Sequence, residues 1–476
     1  TKTPTSSITP TKTPTITPSI TPSLTPSLTP TKTPSVTPST STLVSPFTFT
    51  WTTTSANEVM YLPIVQSGNY NATINWGDGI TTTFTGGTLL VNGNHTYVTP
   101  NTYEVKIYGT FEGWQTGQGP YNSPNPSYQS RKIKEIKSWG ILKLKKDTSN
   151  NAGYFEGCTN LILTGTTDSL NLTNVLDLDR MFKDCGNITT INNINNWNVS
   201  GVTSMYAMFN NCTNFNQPLS GWNVSNVTMM SSMFAGCTKF NQPLNNWDVS
   251  KVTNMSSAFY NCAEFNQPLN NWKVSGVTNM YGMFSSCTKF NQPLNNWDVS
   301  KVTNMSYMFS ACAVFNEPLS GWNVSNVTNM NGMFYNSTKF NQPLNNWNVS
   351  NVTNMGTMFT NCRDFNQPLS GWSVCNVTDM SNMFAGCFKF NQPLNNWIVS
   401  NVTSMYSMFA YCTDFNQPLN NWNVCNVTNM SYMFYNCTNF NQSLNNWKVP
   451  NIQSTPPNFN TGSGISALPQ WGISCP

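Results

Sequence analysis

The stretch from Trp222 to Trp247, WNVSNVTMMSSMFAGCTKFNQPLNNW, is repeated along the chain at a period of 25 residues. The period is marked by tryptophans at Trp197, Trp222, Trp247, Trp272, Trp297, Trp322, Trp347, Trp372, Trp397, Trp422 and Trp447. A fixed period of this length is the signature of a solenoid, in which each repeat buries its apolar side only against its neighbours. Such a ladder favours display, adhesion or assembly over an isolated reactive pocket.

The apolar positions of one repeat predict its core. They are spaced three or four residues apart from Val224 to Cys237, which is typical of tight turns or one helical turn, whereas Phe240–Leu244 contains a proline and is expected to be extended. We expect one short parallel strand per coil, with a turn or short helix opposite and a stacking distance of ~4.8 Å. In one representative coil the side chains predicted to point inward are Trp322, Val327, Met330, Phe334 and Phe340.

Related pairs upstream, Tyr154-Phe155 and Met181-Phe182, continue the pattern at a spacing of 27 residues. The predicted fold class is therefore mainly β and irregular. Its largest part is a right-handed, leucine-rich-repeat-like solenoid of about twelve coils over residues 154–449.

Eleven of the 14 cysteines occupy one position of the repeat, namely Cys158, Cys185, Cys212, Cys237, Cys262, Cys287, Cys312, Cys362, Cys387, Cys412 and Cys437. Ser337 takes that position once, so the site needs a small buried side chain and does not depend on a disulfide. We predict eleven free thiols. Cys375 and Cys425 are two coils apart, roughly 10 Å, which is too far for them to join each other. The repeats lack the histidine or clustered acidic partners of a metal ladder, and no metal or cofactor is predicted.

Asparagine saturates the repeat, often within Asn-Val-Ser or Asn-Val-Thr triplets. One interpretation is a ladder of side-chain amides that bond to the turn backbone of the next coil. The other is N-glycosylation, because these triplets are acceptor sequons. The structural interpretation is favoured at each site, and the weaker glycosylation candidates are Asn71, Asn94, Asn226, Asn326, Asn351, Asn376, Asn401 and Asn426.

The units Phe240–Ser250 (FNQPLNNWDVS) and Val252–Met255 (VTNM) resemble the BspA-type leucine-rich-repeat surface proteins. The resemblance extends from about Tyr154 to Trp447. It implies an exposed protein, often linked to adhesion, without enzymatic activity. The tail that contains Phe459 and Trp471 resembles the closing segment of such arrays, so residues 450–476 are predicted to cap the last coil.

Residues 45–113 alternate polar and apolar side chains in short runs separated by turn signals, which predicts a small antiparallel β-sandwich. The motif Trp76–Gly79, followed by His95–Tyr97 and the strand Tyr103–Tyr108, resembles the PKD module, an immunoglobulin-like domain of surface proteins. Asp78 and His95 are interpreted as turn and strand residues, because no second acid, base or nucleophile is spaced to join them. Residues 114–153 are interpreted as a linker and first cap, with their lysines on a solvated face.

Residues 1–44 form a Thr/Pro-rich arm in which every odd position up to Ser41 is Thr or Ser. A disordered, mucin-like stalk is one interpretation. In an extended chain, however, a period of two places the hydroxyls on one face and the Pro and aliphatic residues on the other. We expect that apolar face to contact another subunit through Ile16, Ile20, Leu24, Leu28 and Val36. We expect O-glycosylation on the hydroxyl face at Thr9, Thr11, Thr13, Thr15, Thr17, Ser19, Thr21, Ser23, Thr25, Ser27, Thr29, Thr31, Thr33, Ser35 and Thr37.

Composition narrows the function. The 476 residues are 8% charged with a formal net charge of +4 and no basic cluster on the repeats, which argues against nucleic-acid partners. No stretch has the length of a membrane span, so no membrane insertion is expected. Because the chain opens at Thr1 on low-complexity sequence, we interpret it as a mature chain after signal-peptide removal or as a partial sequence.

The favoured function is an extracellular structural protein at the cell surface, a glycosylated fibre subunit whose arm binds copies of itself head to tail. The alternative is a cell-surface adhesin whose solenoid binds a host, matrix or glycan ligand. An enzyme is disfavoured, because the chain has one histidine, 18 acidic residues and no paired nucleophile and base.

Overall fold

The structure, a computed structural model, describes residues 44–86, 93–117, 126–147 and 152–475. The arm up to residue 43, with its O-glycosylation candidates and its aliphatic contact residues, lies outside these ranges. Val44–Pro476 is one compact unit, nearly all strand and irregular structure. Within the described ranges, no helix has the length and apolar character needed to span a membrane.

The regular elements are concentrated at the two ends of this unit. They are β1 (Phe47–Thr52), β2 (Glu58–Tyr61), β3 (Asn69–Asn75), β4 (Thr81–Phe84), β5 (Asn94–Tyr97), β6 (Thr102–Glu112), α1 (Pro126–Ser130), β7 (Ile133–Ser138), β8 (Leu142–Lys143), a 3-10 helix (Ile194–Asn196), β9 (Lys448–Val449) and β10 (Gln470–Trp471). One sheet has the order β4-β3-β6-β1-β7, with β8 beside β6, and β2 pairs with β5 in a second sheet. The pairs are antiparallel except β6–β8 and β9–β10.

The segment predicted as a linker contributes strands to the first sheet. β7 pairs with β1, with Ile136 opposite Phe49, and β8 pairs with β6. The prediction of a solvated lysine face is wrong for Lys132, whose ammonium lies 2.8 Å from the Glu58 carboxylate while both side chains are buried. The pairing of β7 with β1 contains two register shifts, so the buried residues Ile133 and Ile136 are three residues apart instead of two. The sequence of β7 therefore lacks the alternation typical of a strand, and its charged residues suggest a solvated segment.

The sheets and the repeats share one hydrophobic core. Glu135 in β7 forms a parallel bridge with Ile162 of the first coil. The ring of Trp139 lies 5.6 Å from that of Phe155, which in turn stacks on Phe182 at 5.9 Å. β7 therefore joins the sheet to the first repeat directly.

We call residues 154–449 the repeat stack. Its successive units are joined by one isolated parallel bridge each, such as Met229 with Asn254 and Asn254 with Asn279. The expectation of a short strand in every coil is wrong in extent, because the β-bridge is limited to this one residue and turns follow it, although backbone hydrogen bonds such as Phe234 N–H to the Ala258 carbonyl at 2.9 Å continue through the turns. The reason is local: from Arg180 onward each coil has two left-handed residues four apart, such as Ser232 (φ 56°) and Gly236 (φ 78°), which turn the backbone away from an extended path.

The interior of the repeat stack consists of aligned rings. Trp222 stacks on Trp247 with 6.3 Å between ring centroids, and Phe234 stacks on Phe259 at 5.6 Å. The inward orientation predicted for Trp322, Val327, Met330, Phe334 and Phe340 is confirmed, since none is more than 3% exposed.

The last coil is covered by the C-terminal segment. β10 pairs with β9, and the buried ring of Phe459 packs edge-on against Phe434 at 5.5 Å and Trp471 at 5.1 Å. A disulfide joins Cys425 to Cys475, a pairing that the repeat period does not predict. The apolar core is thus closed at this end.

Candidate binding face

The aligned cysteines form a ladder of hydrogen bonds. The thiol of Cys237 donates to the carbonyl oxygen of Phe209 at 3.0 Å, and that of Cys262 donates to Phe234 at 3.0 Å. All eleven are buried and free, as predicted. Burial raises the pKa of the Cys158 thiol to about 12 and holds the pKa of Cys262 well above its ordinary value. Since the thiolate is the reactive form, these groups are poor nucleophiles.

The asparagines form a second ladder. The side-chain amide of Asn226 donates to the carbonyl oxygen of Ser200 at 2.8 Å, and that of Asn401 donates to Cys375 at 2.7 Å. The same bond is made by Asn326, Asn351, Asn376 and Asn426. These contacts give the residues a structural role. N-glycosylation stays a prediction, because the side chains are exposed and a glycosylated amide keeps one N–H.

The two remaining N-glycosylation candidates lie in strands that precede the repeat stack. Asn71 is in β3 and Asn94 is in β5, and both are exposed.

Asp78 and His95, treated separately in the sequence, meet in the structure. His95 Nε2 lies 2.7 Å from an Asp78 carboxylate oxygen, and the imidazole stacks on the indole of Trp76 at 4.8 Å. Burial raises the pKa of Asp78 more than any single contact lowers it, but the hydrogen bonds from His95 and from backbone N–H groups, together with the attraction of His95, make the net shift downward. Asp78 also accepts the backbone N–H of Ile80, so the pair fixes the turn before β4 and fits the structural interpretation.

Within the described part of the chain, no group of three or more His, Cys, Asp and Glu side chains is placed to hold a metal ion.

Between the constant Met, Phe and Cys residues of each coil lie four surface positions whose residue type differs from coil to coil. In the coil that begins at Trp222 these variable positions are 231, 232, 235 and 236, all small residues. In other coils they hold tyrosines, and four of these line one open groove: Tyr260, Tyr281, Tyr307 and Tyr335. We call this the tyrosine groove. It has a volume of about 580 Å³, and its other lining residues are Asn, Ser, Ala and Gly.

The tyrosine groove depends on matched residues in neighbouring coils. Tyr307 has a φ of 57°, a left-handed conformation that is unusual for a bulky side chain. A Cβ at Gly332, one coil later, would overlap the ring of Tyr307. The ring therefore lies over the glycine, and Tyr281 contacts it edge-on at 6.1 Å.

The chemistry of the tyrosine groove is aromatic and neutral, since none of its lining residues is charged. Tyr260 and Tyr281 are 46% and 44% exposed. The four phenol rings line an open groove, where a ligand can reach their hydroxyls. The groove therefore fits a neutral ligand with an apolar face and carbonyl or hydroxyl groups.

The repeat pattern does not predict these tyrosines, because they lie at variable positions. Tyr281, Tyr307 and Tyr335 occupy different positions of their repeats, so they have no period of their own. Aligning the repeats and examining what varies would have found them.

Four overlapping segments, residues 150–270, 176–297, 253–372 and 358–471, match the family described as "Mycoplasma protein of unknown function, DUF285". Together they cover more than half of the chain. No curated protein and no solved structure matches the chain.

Proposed function

We propose that this chain, which belongs to the DUF285 family, is an extracellular structural protein, the subunit of a glycosylated surface fibre that assembles through its N-terminal arm. In this proposal residues 1–44 bind another copy, and the rest of the chain is the body that the arm links.

We also propose the fold of two parts of the chain. The repeat stack is a right-handed, BspA-type leucine-rich-repeat solenoid of about twelve coils, which is supported by one parallel bridge per repeat. Residues 45–113 are a PKD-like sandwich, which is supported by the two sheets and by the contact between Asp78 and His95.

Two features of the repeat stack support the proposal. Its polar side chains donate hydrogen bonds to its own backbone, and other segments of the chain cover both of its ends. The cysteine thiols, asparagine amides and tryptophan indoles of one coil each donate hydrogen bonds to backbone carbonyl oxygens of the coil before it. For example, Trp272 Nε1 donates to the carbonyl oxygen of Leu244 at 2.9 Å. β7 covers the first coil, while Phe459 and Trp471 cover the last. Copies therefore cannot join by continuing one another's cores, and the arm is the segment suited to link them.

The disulfide between Cys425 and Cys475 supports the extracellular part of the proposal, because disulfides persist in oxidising compartments. Burial keeps the aligned thiols protonated, and exchange requires a thiolate, so a row of free thiols is compatible with the same environment.

Deletion of residues 1–42 tests the proposal. We expect a folded, soluble monomer with the same unfolding midpoint as the intact chain and no filaments in negative-stain micrographs. If the truncated protein polymerises as the intact chain does, the arm is not the link.

The tyrosine groove favours one second candidate, the adhesin. In an adhesin the arm would be a glycosylated stalk, and the tyrosine groove would bind a host, matrix or glycan ligand through Tyr281 and its neighbours. Isolated rods that bind immobilised glycans, with no filaments, are the result that favours this candidate.

A further inference from the structure

We propose that the tyrosine groove is the docking site for the Thr/Pro arm of a second copy of this chain. The inference rests on the proposed function, because it identifies the surface that receives the arm. The occupant is the uncharged part of the arm between Lys12 and Lys32, Thr13–Thr31, which contains Ile16, Ile20, Leu24 and Leu28.

The chemistry of the two surfaces matches. Chains rich in proline dock into grooves lined by aromatic side chains, because they bury apolar ring surface at a low cost in conformational entropy. The tyrosine groove offers four phenol rings and no charged lining residue. Thr13–Thr31 also lacks charge, so neither surface has to desolvate an ion.

The dimensions also match. The lining residues run from Asn210 to Tyr335, a distance of five repeat periods along the repeat stack. At ~4.8 Å per coil the groove is about 24 Å long. A strand-like extended chain, in which alternate residues lie on opposite faces, rises ~3.3 Å per residue, so about seven residues cross the groove and Thr13–Thr31 is more than long enough.

The docking direction agrees with the glycosylation prediction. The apolar row of the arm would face the rings, which leaves the alternate Thr and Ser hydroxyls on the opposite side. Sugars on that side would extend away from the groove. The carbonyl groups of the arm would accept hydrogen bonds from the hydroxyls of Tyr260, Tyr281, Tyr307 and Tyr335.

Other tyrosines on the same face provide a control. Tyr411, Tyr432 and Tyr435 pack on one another, with 5.3 Å between the rings of Tyr411 and Tyr435, and they do not line the groove. The substitution Tyr411→Ser therefore removes an exposed tyrosine at a variable position without changing the proposed site.

The test is photo-crosslinking in the full-length chain, with a photoreactive residue in place of Leu24. Nitrogen-15-labelled and unlabelled copies are mixed, assembled, irradiated and digested. We expect crosslinks to peptides that contain Tyr281 or Tyr307, in pairs of one labelled and one unlabelled chain. The double variant Tyr281→Ser/Tyr307→Ser should lower the yield by about tenfold at an unchanged melting temperature, whereas Tyr411→Ser should not. If the double variant fails to fold, Tyr260→Ser is the substitute.

Four results would overturn the inference. Crosslinks elsewhere, in filaments that form normally, would reject the groove but retain the fibre. Crosslinks only within one chain would mean that each arm covers its own groove. Unchanged yields in the double variant, together with lost binding to a glycan array, would make the groove a sugar site. Absence of both filaments and crosslinks would reject the fibre as well.

Discussion

The hydroxyl of Ser337 donates a hydrogen bond to the carbonyl oxygen of Phe309 at 2.5 Å, in the place where other coils use a thiol. In the neighbouring coils Cys312 donates to Phe284 at 3.0 Å and Cys362 donates to Phe334 at 2.9 Å. Each of these carbonyls also accepts a backbone N–H, as Phe284 does from Cys287 at 2.9 Å, so the side chain supplies a second hydrogen bond, which contributes about 0.5–1.5 kcal/mol. The aligned position thus selects a small donor, and the cysteines serve as hydrogen-bond donors between coils.

The substitution Cys312→Ser should therefore be nearly neutral, within ~1 kcal/mol, because the hydroxyl repeats what Ser337 does. Cys312→Ala should lower the free energy of unfolding by ~0.5–1.5 kcal/mol, because the Phe284 carbonyl loses its second donor and keeps only the backbone N–H of Cys287. Urea unfolding measures both, and Ser337→Cys is the matched control with an expected change near zero. Equal losses for the serine and alanine variants would show that packing alone determines the position.

The buried thiols also predict loss of stability at alkaline pH. In the folded chain burial raises their pKa, to about 12 for Cys158, whereas an unfolded thiol titrates near pH 8.5. The contribution of each buried thiol to the free energy of unfolding is complete below the pKa of the unfolded thiol. It is lost as the pH rises above that value, because only the unfolded chain releases these protons. Each thiol should lower the free energy of unfolding by up to ~1.4 kcal/mol per pH unit above about pH 8.5.

Urea unfolding at pH 7, 9 and 10 measures that decline. The variant Cys312→Ser removes one titrating thiol. Its free energy of unfolding should therefore fall less steeply with pH, by the contribution of that one thiol. A free energy of unfolding that stays constant up to pH 10 would mean that the thiols are not buried.

Phe334→Ala should cost ~3–5 kcal/mol as the truncation of a core ring. The ring is fully buried, and its centroid is 5.8 Å from Phe309, 3.9 Å from Phe340 and 5.7 Å from Phe359. In a linear array the adjoining coils should lose hydrogen-exchange protection first. Phe388→Ala is the control, since Phe388 is 40% exposed and its contact with Arg363 should contribute only ~0.5–1 kcal/mol. Similar losses for the two variants would contradict the buried ladder.

Mass spectrometry of the denatured, non-reduced protein should find one peptide pair, Cys425 with Cys475, and eleven alkylated thiols at the aligned position. Cys475→Ser should cost ~2–4 kcal/mol, with lost hydrogen-exchange protection near Trp447 and none near Trp222. Cys375→Ser, which removes a half-buried free thiol, is the control and should have no such effect. A disulfide between neighbouring aligned residues, such as Cys262 with Cys287, would overturn the thiol ladder.

The repeat period predicts the interior of the stack well, because one coil supplies the pattern for all. Side chains such as Trp322 and Phe340 are buried as expected, and the aligned cysteines are free. Burial here depends on spacing within a single repeat, which a sequence displays directly.

Contacts that join different repeats or different domains could not be predicted in the same way. The bond between Cys425 and Cys475 requires the path of the terminal segment, which has no repeat. The ion pair of Lys132 with Glu58 requires the position of β7 beside β1. The tyrosine groove requires three positions of the repeat to converge on one surface.

Electron microscopy of the intact, purified protein tests the central proposal most directly. Assembly through the arm predicts filaments with a regular axial repeat, because every body carries one arm and one tyrosine groove. Isolated rods at all protein concentrations would contradict it and would favour the adhesin.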